Sequence, residues 1–388
     1  MNTINTVGII GAGAMGSGIA QVALLAGNKV FLYDNQTNAA ENATIKLKNT
    51  LEVLVQKGKI SEDDLQKANA NIFSANTLEE LASCNLIVEA IVEILDVKKT
   101  LFASLEKIVS KECILATNTS SLSIAAISSA CVYKERVIGL HFFNPAPIMP
   151  LVEVIPGVAT KENLEIELIE LMQHWNKIPV LAKDTPGFIV NRIARPFYGE
   201  ALRIYDEGIA DFATIDWAMK TYGGFKMGPF ELMDFIGHDV NFRVTETVFE
   251  QMFFDAKYKP SITQKRLFEA GFYGRKSGRG YYDYTKELPI KPIENEELGE
   301  QIFNRIICML INEAAEALNY SIANANDIEL AMTKGVNYPK GLLQWANELG
   351  IKNVVNTLTN LQNFYGEERY RCSVSLKRMS EKDELFMI

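Results

Sequence analysis

Residues Thr6 to Ile10 form a short apolar run that passes directly into Gly11-Ala12-Gly13-Ala14-Met15-Gly16. Apolar residues at Ile19, Val22, Ala23 and Leu24 follow with helical spacing, and the pattern stops at Gly27-Asn28. A second apolar run, Val30 to Tyr33, ends on Asp34, eighteen residues beyond Gly16. A glycine pattern alone says little. Strand before, helix after and an acid at this spacing predict a dinucleotide-binding βαβ unit. Gly11 permits the tight turn. Gly13 lets the backbone approach a pyrophosphate, and Gly16 lets helix and strand pack closely. The free N–H groups of the helix N-terminus favour phosphate. Asp34 is placed to accept both hydroxyls of an adenosine ribose and to repel a 2′-phosphate, so the cofactor expected is NAD.

Residues 36 to 70 read as a helical excursion with Lys46, Lys48, Lys57 and Lys59 on it. A solvated face explains any one of these lysines, and together they suit a polyphosphate tail. The alternation of strand and helix then resumes. Asn85 to Glu89 is a strand, with Glu93 and Lys98 on the turn and helix after it. Cys113 to Ala116 is another, running into Thr117-Asn118-Thr119-Ser120-Ser121. In a doubly wound sheet, ligands lie beyond the carboxyl ends of the strands, which is where Ser120 falls.

Gly139 to Ile155 reads GLHFFNPAPIMPLVEVI. Both flanks are strand-like, and Asn144-Pro145-Ala146-Pro147 is a turn between them. That layout would bring His141 beside Glu153, as a histidine base oriented by a carboxylate requires. On this stretch alone, a core histidine next to an unrelated acid remains open. The position of His141 at a strand end of the nucleotide-binding sheet favours catalysis. His174 reads as structural or exposed, and His238 as a helix-end cap or substrate contact.

Asp184-Thr185-Pro186-Gly187 reads as a capped helix start opening Phe188 to Ile193, with a domain boundary near 183. The pattern beyond it is helical until a strand-like run at Tyr281 to Tyr284. A displacement of 113 residues superposes Asn191-Arg192-Ile193 on Asn304-Arg305-Ile306 and Glu200-Ala201 on Glu313-Ala314. It also superposes Ala218-Met219 on Ala331-Met332, Gly228 on Gly341 and Gly237 on Gly350. Two duplicated helical domains should pack through equivalent surfaces, as subunits of a symmetric dimer do. The domains expected are 1–183, 184–284 and 300–388, with a Pro-containing linker (Pro289, Pro292) between the copies.

The formal net charge of −9 argues against a nucleic-acid surface. No apolar run approaches the length of a membrane span. Met1 to Asn5 carries no basic residue, so a secretory or organellar leader is not expected. Cys84, Cys113, Cys131, Cys308 and Cys372 are scattered without a CxxC pair. They read as reduced thiols in a reducing compartment, the cytoplasm, and not as metal ligands; no metal site is expected.

The sequence resembles the NAD-dependent L-3-hydroxyacyl-CoA dehydrogenase family over nearly its whole length. The likeness rests on GAGAMG at 11–16, VEAIVE at 88–93, NTSSL at 118–122, HFFNPAPIMPLVEVI at 141–155, DTPGFIVNRI at 184–193 and GRKSGRGYYDY at 274–284. It implies an α/β Rossmann-type doubly wound sheet followed by an all-α domain, here in two tandem copies. It also implies reversible oxidation of a 3-hydroxyacyl-CoA, as in β-oxidation and fatty acid metabolism. His141 matches the family's catalytic base and Glu153 its partner. Asn191 matches an asparagine near the reacting carbonyl, and Ser120 a serine contacting substrate and nicotinamide. Glu93, Lys98, Asn144 and Lys276 match residues near NAD, while Thr50 and Lys57 align loosely with residues near the CoA tail. Many members dimerise through one helical domain, so either a homodimer or a second copy replacing the partner's domain is implied. The wording resembles the branch acting on 3-hydroxybutyryl-CoA or 3-hydroxyadipyl-CoA, the latter in aromatic (phenylacetate) degradation. A non-catalytic NAD-binding scaffold is the rival from another class. It would be favoured by loss of His141 or Glu153, and both are present. Arg192, Arg195, Lys226 and Arg243 are the cations available for a distal carboxylate.

Overall fold

The computed structural model describes residues 4–286 and 290–388. Residues 1–3, part of the N-terminal reading, and Pro289 of the expected linker lie outside the described residues. The chain divides into two compact units, Met1–Phe188 and Ile189–Ile388.

The first unit is built on one sheet of eight strands: β1 Thr6–Ile10, β2 Lys29–Tyr33, β3 Ile72–Ala75, β4 Leu86–Glu89, β5 Ile114–Thr117, β6 Val137–Phe142, β7 Leu151–Pro156 and β8 Ile178–Leu181. Their order is β3-β2-β1-β4-β5-β6-β7-β8. Strands β1 to β6 pair in parallel, β7 runs antiparallel to β6, and β8 pairs parallel to β7. Helices α1 Ala14–Leu25, α2 Ala39–Gln56, α3 Glu62–Asn71, α4 Leu95–Ile108, α5 Ile124–Ser128 and α6 Leu164–His174 complete the unit. A sheet covered on both faces needs apolar side chains pointing both ways. Consecutive residues of β4, β5 and β6 are accordingly all buried.

The second unit is helical. Its first half holds α7 Val190–Ile193, α8 Arg195–Asp206, α9 Phe212–Gly223, α10 Pro229–Ile236, α11 His238–Gln251 and α12 Ile262–Glu269. Its second half holds α13 Glu296–Asn319, α14 Ala325–Leu330, α15 Leu342–Leu349, α16 Ile351–Tyr365 and α17 Val374–Lys382. Helix α13 is buried almost all round from Ile302 to Ala317, as a helix at the centre of a unit must be. It begins at Glu296, inside the stretch expected to be linker.

The duplication is visible as reciprocal ion pairs. Arg192 Nε lies 2.6 Å from Glu313 Oε1, and Arg305 Nε lies 2.6 Å from Glu200 Oε1. The two arginines are 113 residues apart, and so are the two glutamates. Tyr258 donates to Glu313 and Tyr370 to Glu200, each at 2.5 Å. Helix starts are repeated too. Asp216 accepts from the backbone N–H groups of Phe230 and Glu231, and Glu329 from those of Leu343 and Gln344. Each carboxylate sits against a glycine at the head of the helix it caps. A Cβ at Gly228 would lie 2.3 Å from Asp216, and one at Gly341 1.7 Å from Glu329.

Two local expectations fail for tertiary reasons. Asp184 does not cap the helix after it. Its carboxylate accepts from Ser123 Oγ and from the N–H groups of Ile124 and Ala125, capping α5. Gly187 and Phe188 have positive φ (75° and 45°), so helix α7 starts only at Val190. Tyr281 to Tyr284 form no strand. They wrap buried Asp234, which accepts from Tyr281 N, Tyr282 N and the Tyr284 hydroxyl.

The reciprocal pairs generate a stability prediction. Glu313→Ala leaves Arg192 and Lys257 buried without this carboxylate, so unfolding free energy should fall by about 3–5 kcal/mol. Urea denaturation followed by circular dichroism measures it, and a loss below about 1 kcal/mol would contradict the interlock.

Candidate active site

The loop after β1 is shaped by close backbone packing. Gly11 has φ +104°, and a Cβ there would lie 2.5 Å from Ala90 O. A Cβ on Gly16 would lie 1.8 Å from Gly11 O, so the start of α1 can approach the loop only without a side chain. At Gly13 a Cβ would meet nothing within 4 Å, leaving the helix head open on that side. No side chain caps α1. The Asp34 carboxylate is pinned at the end of β2 by the N–H groups of Ala12 (2.7 Å) and Gln36 (2.9 Å). A cavity of about 780 Å³ runs along Gly11, Gly13 and Asp34 to Ile91, Val97 and Thr100. An uncapped helix head, an open glycine and a fixed carboxylate in one groove fit NAD. The α4 wall of this groove, Val97 and Thr100, carries no sequence signature and was not anticipated.

His141 and Glu153 are register partners across the antiparallel β6–β7 pair. His141 Nδ1 is 2.6 Å from Glu153 Oε2. The imidazole is 6% exposed and the glutamate 0%. Glu153 on Nδ1 selects the tautomer with its proton there, leaving Nε2 as the nitrogen able to take one. The rings of Phe143 and Phe188 lie 4.5 and 6.0 Å from the imidazole, centroid to centroid, and limit its rotation. Asn144, exposed and in a cis bond to Pro145, opens the turn joining the two strands. Lys177, which the sequence did not single out, holds that turn: its Nζ donates to Ala146 O (2.5 Å) and Met149 O (2.9 Å). Burial pushes the Lys177 ammonium down to about 8.

Glu93 organises the loop after β5. Its Oε1 accepts from Thr119 Oγ1 (2.6 Å), Ser120 N (2.8 Å) and Ser121 N (3.2 Å), and lies 3.3 Å from Ser120 Oγ. Burial alone would raise Glu93. Lys98 and the hydrogen bonds from Thr119 and Ser120 outweigh it and hold the carboxyl below its ordinary value. Lys98 is only 1% exposed, and its Nζ is 2.5 Å from Glu89 and 3.2 Å from Glu93. Its ammonium therefore faces two carboxylates. Glu89, also not singled out, accepts from Thr117 Oγ1 and Ile91 N as well. Its signal was present as the acid ending an otherwise apolar strand.

Thr50 donates to Lys46 O on exposed α2, and Lys57 is exposed at the end of that helix. Asn191 is on α7, in the second unit. Lys276, in the same unit, is 2.5 Å from Asp239. His238 is fully buried with Nε2 2.8 Å from Asp234, so it is a core side chain and no substrate contact. His174 lies on the surface, bonded to Ala26 O. All five cysteines are free and buried. Among the described residues no helix is long and apolar enough to cross a membrane.

A nucleotide groove and a buried histidine–carboxylate pair on one sheet define a class, the NAD-dependent dehydrogenases. Comparison with known proteins gives the family. The NAD-binding domain of 3-hydroxyacyl-CoA dehydrogenases matches residues 6–185. The C-terminal domain of the same enzymes matches twice, over 187–284 and 302–386. The 3-hydroxyadipyl-CoA dehydrogenase of Escherichia coli (strain K12) is 36% identical over 465 aligned positions, covering 97% of this chain and 98% of the relative. A probable 3-hydroxybutyryl-CoA dehydrogenase of Bacillus subtilis (strain 168) is 40% identical over 73% of this chain and 99% of its own length. The crystal structure of an Escherichia coli K12 3-hydroxybutyryl-CoA dehydrogenase superposes with a TM-score of 0.92 at 35% identity, covering 98% of this chain and 99% of that one. The chain belongs to the 3-hydroxyacyl-CoA dehydrogenase family and is an NAD-dependent oxidoreductase with a tandem pair of C-terminal helical domains.

Asp34 should govern cofactor choice. In Asp34→Ser the ratio of kcat/KM for NADH over NADPH is expected to fall by about 10- to 100-fold, because the charge facing a 2′-phosphate is gone. An unchanged ratio would assign ribose reading to another residue.

Proposed function

We propose that this chain oxidises an (S)-3-hydroxyacyl-CoA to the 3-ketoacyl-CoA, reversibly, with His141 as acid and base. The observation carrying this reading is the His141–Glu153 pair, 2.6 Å apart across two paired strands. NAD supplies the hydride acceptor. His141 Nε2 takes the proton from the 3-hydroxyl, and in reduction returns it to the same oxygen. Glu153 holds the ring and stabilises the imidazolium. Ser120 and Asn191 donate hydrogen bonds to the substrate oxygen or the thioester carbonyl. Glu93 fixes the Ser120 loop and, with Lys98 behind it, borders the cofactor; Gly11, Gly13, Gly16 and Asp34 hold its adenosine and pyrophosphate. Asn144 and Lys276 are assigned to the cofactor, and Thr50 and Lys57 to the CoA tail, on family likeness alone.

The short-chain substrate 3-hydroxybutyryl-CoA is supported by several relatives of that name. 3-Hydroxyadipyl-CoA is supported by the relative that aligns end to end, second helical copy included. A role in β-oxidation, in the cytoplasm, suits both substrates and the five free thiols. The second helical copy stands in for a partner's domain, a role supported by the reciprocal Arg–Glu pairs inside one chain.

His141→Gln tests the chemistry. It should bind NADH with unchanged affinity by fluorescence titration, while kcat for acetoacetyl-CoA reduction falls on the order of 10²–10⁴-fold. A variant turning over at the wild-type rate would remove His141 from the mechanism.

A further inference from the structure

Arg192, Arg195, Lys226 and Arg243 could meet a distal carboxylate, and burial and pairing together separate them. Arg192 is held by Glu313. Arg243 is exposed and paired with Glu246, and Lys226 is exposed. Arg195 differs from all three. It is 6% exposed, yet no carboxylate pairs with it among the described residues. Its Nε donates to Asn191 O (2.8 Å), its Nη1 donates to Thr245 Oγ1 (3.0 Å), and its guanidinium lies 5.0 Å from the Tyr198 ring centroid. Burial lowers it from its ordinary value, and the phenols of Tyr198 and Tyr338 act against that. Arginine stays charged regardless. A buried charge without a counter-ion is costly, and proteins keep such a charge where an anion arrives.

Tyr338 supplies a second, independent observation. It comes from the other helical copy, is 4% exposed, and its hydroxyl has no hydrogen-bond partner. Its ring packs against Phe225 and Phe197, with centroids 5.0 and 5.8 Å away. Burial pushes its phenol well above the usual range, so the hydroxyl remains a donor. A guanidinium without a carboxylate and a phenol without an acceptor therefore share one buried, aromatic-walled region. Both lack what a carboxylate provides.

We propose that Arg195 and Tyr338 receive the distal carboxylate of a dicarboxylic 3-hydroxyacyl-CoA and set the enzyme's preference for it over a short monocarboxylic chain. This rests on the reading that Asn191 faces the reacting thioester. Arg195 opens the next helix, and its Nε donates to the Asn191 carbonyl at 2.8 Å, so the guanidinium lies beside that residue. An adipyl chain is two carbons longer than a butyryl chain and ends in the carboxylate that such a pair would take. The second helical copy then has a part in recognition, because it brings Tyr338.

The test compares NADH oxidation by the full chain with 3-oxoadipyl-CoA and with acetoacetyl-CoA. The wild type should favour the dicarboxylic thioester. Tyr338→Phe removes only an unpartnered hydroxyl, so its melting temperature should not fall. Tyr338→Phe and Arg195→Met should each raise KM for 3-oxoadipyl-CoA by roughly 10- to 100-fold, with a much smaller change for acetoacetyl-CoA. Equal losses on both thioesters, or a wild type that favours acetoacetyl-CoA, would overturn the assignment while leaving the dehydrogenase reading intact. Turnover of neither thioester by the wild type would instead sink that reading itself.

Discussion

The antiparallel pairing of β6 with β7 is the constraint on which the proposed chemistry depends. Six strands run parallel, and each needs a crossover to return the chain to the same end of the sheet. After β6 the chain turns back at once and pairs with itself. Residues that face each other across such a pair have their Cβ atoms about 4.5–5.5 Å apart. A histidine on one strand then meets a carboxylate on the next with no loop flexibility between them. The pair is supported from outside as well, since Lys177 ties down the carbonyls of the turn and two phenylalanines flank the ring. A slip of one residue would send Glu153 to the opposite face of the sheet.

In the helical unit the organising interaction is the exchange of Arg192–Glu313 for Arg305–Glu200. Each copy offers an arginine to the other's glutamate, and each glutamate also takes a tyrosine hydroxyl. Buried charges of this kind favour one register because removal of either partner strands the other. Within that frame the copies have diverged. Arg195 corresponds to Cys308, and the Asp234–His238 pair of the first copy corresponds to Asn347 and Ile351. The first copy thus retains a buried cation and the second has none at that place, while the second contributes Tyr338.

The nucleotide-binding unit was legible in the sequence because its chemistry is local. Gly11 and Gly16 pack backbone against backbone, Gly13 leaves the helix head open and Asp34 ends a strand, all of which spacing encodes. His141 and Glu153 were legible for a similar reason, since a short turn fixes which residues meet. The misreadings came from partners distant in the chain. Asp184 looks like a cap for the helix after it, yet it caps one sixty residues earlier. The aromatic run at 281–284 has strand propensity, but a buried aspartate recruits its N–H groups. Glu89 shows in the sequence only as an acid ending an apolar strand, whereas Lys177 reaches back to the Ala146 and Met149 carbonyls, which no spacing reveals. Among four candidate cations, only burial and pairing distinguish Arg195.

In the proposed chemistry Glu153, acting through His141, serves hydride exchange at C3 of an acyl-CoA. Rapid mixing of the NADH complex of Glu153→Gln with acetoacetyl-CoA, followed by loss of NADH fluorescence in a single turnover, addresses it most directly. The transfer rate should fall by at least about 100-fold with NADH affinity unchanged. A transfer rate equal to that of the wild type would contradict it.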